Sequence, residues 1–154
     1  IREAFDEVPF PGRNRRTLYE AEAADNYFVG HQPADHEGRW QDLPRQHILD
    51  CQWALPHLDE HGLQYYLAAI MSFAVNEFGE AHDDHRSGWI FESLGYHLAF
   101  ERGKDPRATN IARKHRQFSV AQLEAVARFA LFYGAANTDV RGWRRLADAG
   151  RSMP

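Results

Sequence analysis

The chain has one cysteine in 154 residues, Cys51, so no intrachain disulfide can hold it together. That excludes the disulfide-stapled class of small secreted domains. Cys51 sits within Ile48-Leu49-Asp50-Cys51-Gln52-Trp53-Ala54-Leu55 and has no cation or helix start beside it to hold a thiolate. It reads as a small buried hydrophobe in a reducing compartment. No apolar run approaches the roughly 18–20 residues of a membrane-spanning helix. No basic-then-apolar leader opens the chain, which begins at Ile1, and cytoplasmic residence is the expectation. Alternating β-branched runs closed by hairpin turns are missing, which argues against sheet. There is also no G-x-S-x-G, no P-loop and no Rossmann glycine pattern. Esterase-type and nucleotide-binding chemistries therefore lose their usual sequence support.

Aromatic residues are plentiful: four Trp, six Tyr and ten Phe in a chain that is 44% hydrophobic and 26% charged. Such rings bury roughly 150–250 Å² each, enough to close the core of one domain spanning 1–154. The formal charge of −4 is unevenly distributed. Residues 1–100 hold seven Lys/Arg against seventeen Asp/Glu, whereas 101–154 hold eleven against five. A split of this kind steers encounters with charged partners and says nothing of fold.

The pattern is helical throughout. A short helix within 1–7 should end at the Pro9-Phe10-Pro11-Gly12 turn. Thr17-Leu18-Tyr19-Glu20 is a capping box opening a helix to about Val29. Asp42-Leu43-Pro44 resembles a cap and first turn, with the helix running on to Leu55. Asp59 caps a helix that is apolar on nearly all sides to Phe78, the buried centre of the fold. A helix at about 87–102 should turn Ile90, Leu94, Leu98, Trp89, Tyr96 and Phe100 inward. After a basic connector, Ser119-Val120-Ala121-Gln122 is a second capping box, with Phe118 and Leu123 placed as a hydrophobic staple. A last short helix covers 139–147. The sum is an all-α fold, an irregular bundle of about five main and two short helices around a central helix at 60–78.

Three segments invite a function. His57-Leu58-Asp59-Glu60-His61 spells the H-x-x-E-H zinc motif, but Pro56, Gly62 and the capping Asp59 put its histidines on either side of a helix break. Glu80-Ala81-His82-Asp83-Asp84-His85 gathers possible metal ligands in a loop where aspartates also serve as caps. Arg113-Lys114-His115-Arg116, with Arg102, Lys104 and Arg107, could meet phosphates, yet its one nearby ring, Phe118, belongs to the staple. Trp40 and Trp143 lie in or near loops, and partial exposure beside arginines would suit protein contact.

Trp40-Gln41-Asp42-Leu43-Pro44, Tyr65-Tyr66-Leu67-Ala68-Ala69 and Phe118-Ser119-Val120-Ala121-Gln122-Leu123 together resemble a bacterial family of unknown function. In that family a W-x-D-[LI]-P helix start precedes a Y-Y-L-P-A helix. The resemblance covers roughly 17–133 and implies a helical fold without assigning an activity. Ala68 stands where the family usually has proline, so the kink a proline would impose is not expected here.

The function these features favour is a non-enzymatic protein-binding module. In its concrete form it is an immunity or antitoxin-like protein meeting a basic toxin through Glu77, Glu80, Asp83, Asp84 and Trp40. No cofactor, metal or membrane partner is expected, and nucleic acid is disfavoured. The alternative is a small metal-dependent enzyme or metal-binding protein using His82, Asp83, Asp84 and His85.

Overall fold

The computed structural model describes residues 1–12, 15–77, 85–99, 113–134 and 140–151. Among them are seven α-helices and no strand. These are α1 (Arg2–Phe5), α2 (Leu18–Asp25), α3 (Arg45–Asp50), α4 (Glu60–Glu77), α5 (His85–Leu98), α6 (Val120–Tyr133) and α7 (Val140–Arg151). Two 3₁₀ turns, Trp40–Asp42 and Leu55–His57, flank α3. The fold is all-α, as its hydrophobic periodicity predicts.

α4 is the expected centre. Leu63, Tyr65, Tyr66, Leu67, Ala68, Met71 and Ala74 are all fully buried, and the helix touches α1, α5 and both 3₁₀ turns. It runs unbroken through Ala68. Both capping boxes form: the side chains of Thr17 and Ser119 accept from the Glu20 and Gln122 amides, and the reciprocal bonds close. Gln122 does more than cap, because its Oε1 also accepts from Gln64 Nε2 at 2.8 Å and so ties α6 to α4. Phe118 is buried edge-on against Phe5, their centroids 5.7 Å apart.

Four boundaries differ from the sequence expectation, three of them for a physical reason seen in the structure. α2 stops at Asp25, not Val29: Tyr27 takes a left-handed φ of 53°, and the Phe28 amide donates back to Ala23 O at 2.9 Å. That is a Schellman ending, with tyrosine where glycine is usual. Asp42 lies in a 3₁₀ turn and does not cap α3, because Leu43 precedes a proline and is extended (ψ 122°). α3 ends at Asp50, not Leu55, where the Glu22 carboxylate takes the Trp53 amide at 2.8 Å. α7 extends to Arg151. The ends expected at Phe78 and 102, and the basic connector, lie outside the described residues.

Candidate functional site

Trp40 is buried at 3% exposure, and its indole N–H donates to the Phe5 carbonyl at 2.7 Å. This corrects the expectation of an exposed contact residue. A tryptophan in a loop still seals the core when its N–H can satisfy the open end of a short helix such as α1. Trp143 is corrected likewise: it is fully buried and donates to Leu98 O at 3.0 Å. Glu77 is held by Arg45, whose Nε and Nη2 donate to the two carboxylate oxygens at 3.0 and 2.8 Å. Arg45 also lies over the Phe73 ring, 5.6 Å from its centroid. Trp40 and Glu77 do share one cavity of about 180 Å³ with Arg45 and Phe73. The glutamate is thus engaged within the chain. Glu80, Asp83, Asp84 and His82 lie outside the described residues.

The H-x-x-E-H segment separates as its capping residue predicts. His57 ends a 3₁₀ turn and places Nε2 3.1 Å from Asp25 Oδ1. His61 opens α4, its Nε2 3.2 Å from Gln117 Nε2. Between them Asp59 Oδ1 accepts the His61 and Gly62 amides. Among the described residues, no three His, Cys, Asp or Glu side chains converge as a metal site would require. Within the described part of the basic segment, residues 113–116, two side chains turn toward the chain itself. His115 is buried against Trp143 and Phe118, and Lys114 Nζ donates to the Pro56 carbonyl.

Burial shapes the ionisable groups inside. His97, in ring contact with His115 at 5.3 Å, is pushed well below the ordinary histidine range by burial, then by the charges of His115 and Lys114. Burial pushes the Cys51 thiol up, reinforced by Glu22, Asp50 and Asp35, which leaves it unsuited to act as a thiolate.

The surface that stands out was expected inside. On α5, Ile90, Leu94 and Leu98 face the core, whereas Trp89 is 44% and Tyr96 68% exposed. His85, Trp89, Glu92 and Tyr96 follow i, i+4, i+7, i+11 spacing on the outer face. The His85 imidazole stands edge-on to the Trp89 ring at 4.9 Å. The signal was in the sequence. At about 100° per residue, Trp89 and Tyr96 fall well over a quarter-turn from the middle of the Ile90/Leu94/Leu98 stripe. A second apolar projection, Tyr27-Phe28-Val29, follows the strained end of α2 and is 92%, 58% and 100% exposed. No helix among the described residues is long and apolar enough to cross a membrane.

Comparison with curated proteins gives no match, and comparison with solved structures gives none. A family model, described as a family of unknown function (DUF6714), matches residues 1–149. Nearly the whole helical domain is covered by that match, and the chain belongs to this family of unknown function, DUF6714.

Proposed function

We propose that the protein is a non-enzymatic protein-binding module that engages a cationic protein partner through the outer face of α5. The observation that carries this reading is the pair Trp89 and Tyr96, exposed on one face of a rigid helix with Glu92 between them. Trp and Tyr are the side chains that most often dominate binding energy at protein interfaces. They combine large apolar area with little rotamer entropy, and their faces attract Arg and Lys. The acidic excess of residues 1–100 would speed encounter with a basic partner.

In its specific form the module is an immunity or antitoxin-like protein of a bacterial cytoplasm, neutralising a basic toxin. Small size, the acidic first hundred residues and a lone buried cysteine all suit that role. The test is site-specific photo-crosslinking in the native cell. A benzoylphenylalanine at Trp89 or Tyr96 should capture one stoichiometric basic protein, and one at Asn26 should not. Recovery of no stoichiometric partner, or of the same partner from every surface position, removes the reading.

A further inference from the structure

The basic segment closes on a turn that already holds another cation. Lys114 Nζ donates to the Pro56 carbonyl, and Arg16 Nη1 donates to the next carbonyl, His57 O, at 2.7 Å. Two segments distant in sequence thus set their charges on consecutive carbonyls of one 3₁₀ turn, Leu55–His57. Arg113, exposed beside Lys114, adds a third charge to the cluster. None of the three forms an ion pair with a carboxylate among the described residues. Asp59, two residues beyond the turn, serves backbone instead: Oδ1 accepts from the His61 and Gly62 amides, and Oδ2 from the Arg16 amide. Asp25 faces the His57 ring. A carboxylate beside a lysine raises its pKa; Lys114 is held below the ordinary lysine range, by burial first and then by Arg16 and Arg113.

We propose that Arg16, Arg113 and Lys114 form a binding site for a phosphate dianion, either inorganic phosphate or the terminal phosphate of a small phosphorylated molecule. The site is separate from the α5 face and does not depend on it. Like charges repel, and the fold keeps these together with no internal counter-ion, so a bound anion supplies the attraction that the chain does not. Donors remain for it. Lys114 directs one N–H to a carbonyl, Arg16 uses only Nη1, and the Arg113 guanidinium makes no hydrogen bond among the described residues. A guanidinium takes phosphate oxygens in pairs, and an ammonium serves as a compact point charge. The two carbonyl bonds hold the Arg16 and Lys114 head groups in place beforehand, which lowers the ordering cost of binding. Charges gathered at one turn match a phosphate monoester, which is close to doubly charged at neutral pH. The backbone of a nucleic acid spreads its charge along a line and calls for a track of cations.

The test uses the full chain and inorganic phosphate, titrated against chloride at constant ionic strength. Amide NMR shifts should saturate at one phosphate per chain and centre on residues 15–17, 56–59 and 113–116. Arg113→Gln should weaken the affinity by about tenfold or more. Because that guanidinium has no partner to lose, the substitution should leave the circular dichroism unchanged and the phosphate-free melting temperature equal or higher. Arg128→Gln, the same charge change on α6, should bind as the unaltered chain does. A nucleoside monophosphate that binds more tightly than inorganic phosphate would assign the site to a phosphorylated molecule. Weaker binding would assign it to the free ion, and either result supports the site. Shifts that never saturate, or that chloride and dimethyl phosphate produce as strongly, overturn the proposal. So does unaltered binding by Arg113→Gln, or an equal loss in Arg128→Gln. Binding of single-stranded RNA by a chain that ignores phosphate overturns it too.

Discussion

Gly62, in the first turn of α4, stands directly beneath the backbone of Arg16: a Cβ at position 62 would lie 2.5 Å from the Arg16 carbonyl oxygen. The segment leading into α2 cannot retreat, because the Arg16 amide donates to Asp59 Oδ2 at 3.0 Å and its guanidinium to His57 O at 2.7 Å. Alanine is the better helix former by about 1 kcal/mol, but overpacking against fixed backbone costs about 1–3 kcal/mol. Gly62→Ala should therefore destabilise the fold, by up to ~2 kcal/mol in net. Urea denaturation would register this as a lower midpoint at unchanged slope.

Acid should loosen the junction of α5 and α7. Burial, then the charges of His115 and Lys114, hold His97 uncharged in the folded chain, well below its ordinary range. The unfolded chain takes up a proton near pH 6.5, where the folded one does not. The unfolded state then binds more protons, so stability is full above about pH 6.5 and falls as pH drops below it. Glu22 and Asp35, both raised chiefly by burial, act in the opposite sense, at lower pH in the carboxylate range. Comparing denaturation midpoints between about pH 8 and about pH 5.5 isolates the histidine contribution. His97→Leu should flatten that dependence; an unchanged slope would mean His97 does not titrate as its burial implies.

What could be read from the sequence was what local chemistry decides. Thr17 and Ser119 announce their helices because a hydroxyl and a side chain three residues on satisfy open amides within one turn. The central helix is legible because an all-round apolar surface has no other place to go. Two of the misreadings turn on partners distant in sequence. Nothing near Asp50 says that α3 must stop there; Glu22, on another helix, takes the Trp53 amide. Nothing near Trp40 says it is buried until Phe5 supplies the acceptor. The outward direction of Trp89 and Tyr96 was available from helical phase, and the habit of placing aromatics inside overrode it.

Tyr27 carries backbone strain without visible packing return. Its φ of 53° is costly for a residue with a Cβ, by roughly 1–2 kcal/mol, and its side chain is 92% exposed. Glycine would remove the steric cost and give back part of the gain as chain entropy. Tyr27→Gly should thus stabilise the domain by ~0.5–1 kcal/mol, seen as a higher melting temperature. If the substitution is instead destabilising, the exposed ring makes contacts that its solvent exposure conceals.

Trp40 and Trp89 separate stability from recognition. Trp40→Phe keeps a buried ring and removes the 2.7 Å donor from the Phe5 carbonyl, which still accepts from the Val8 amide at 3.1 Å, so the exchange should cost about 0.5–1.5 kcal/mol. Because that carbonyl belongs to the last residue of α1, the loss should appear first as faster amide exchange around residues 1–8. Trp89→Ala removes a half-exposed side chain from the outside of α5 and should change stability by less than about 0.5 kcal/mol. Its effect belongs in binding, where truncating a central aromatic anchor costs about 2 kcal/mol or more, a loss of roughly thirtyfold in affinity. Measured side by side, the two variants should exchange phenotypes: Trp40→Phe less stable yet partner-competent, Trp89→Ala stable yet partner-deficient. A Trp89→Ala protein that binds its partner at wild-type strength would move the recognition surface off α5.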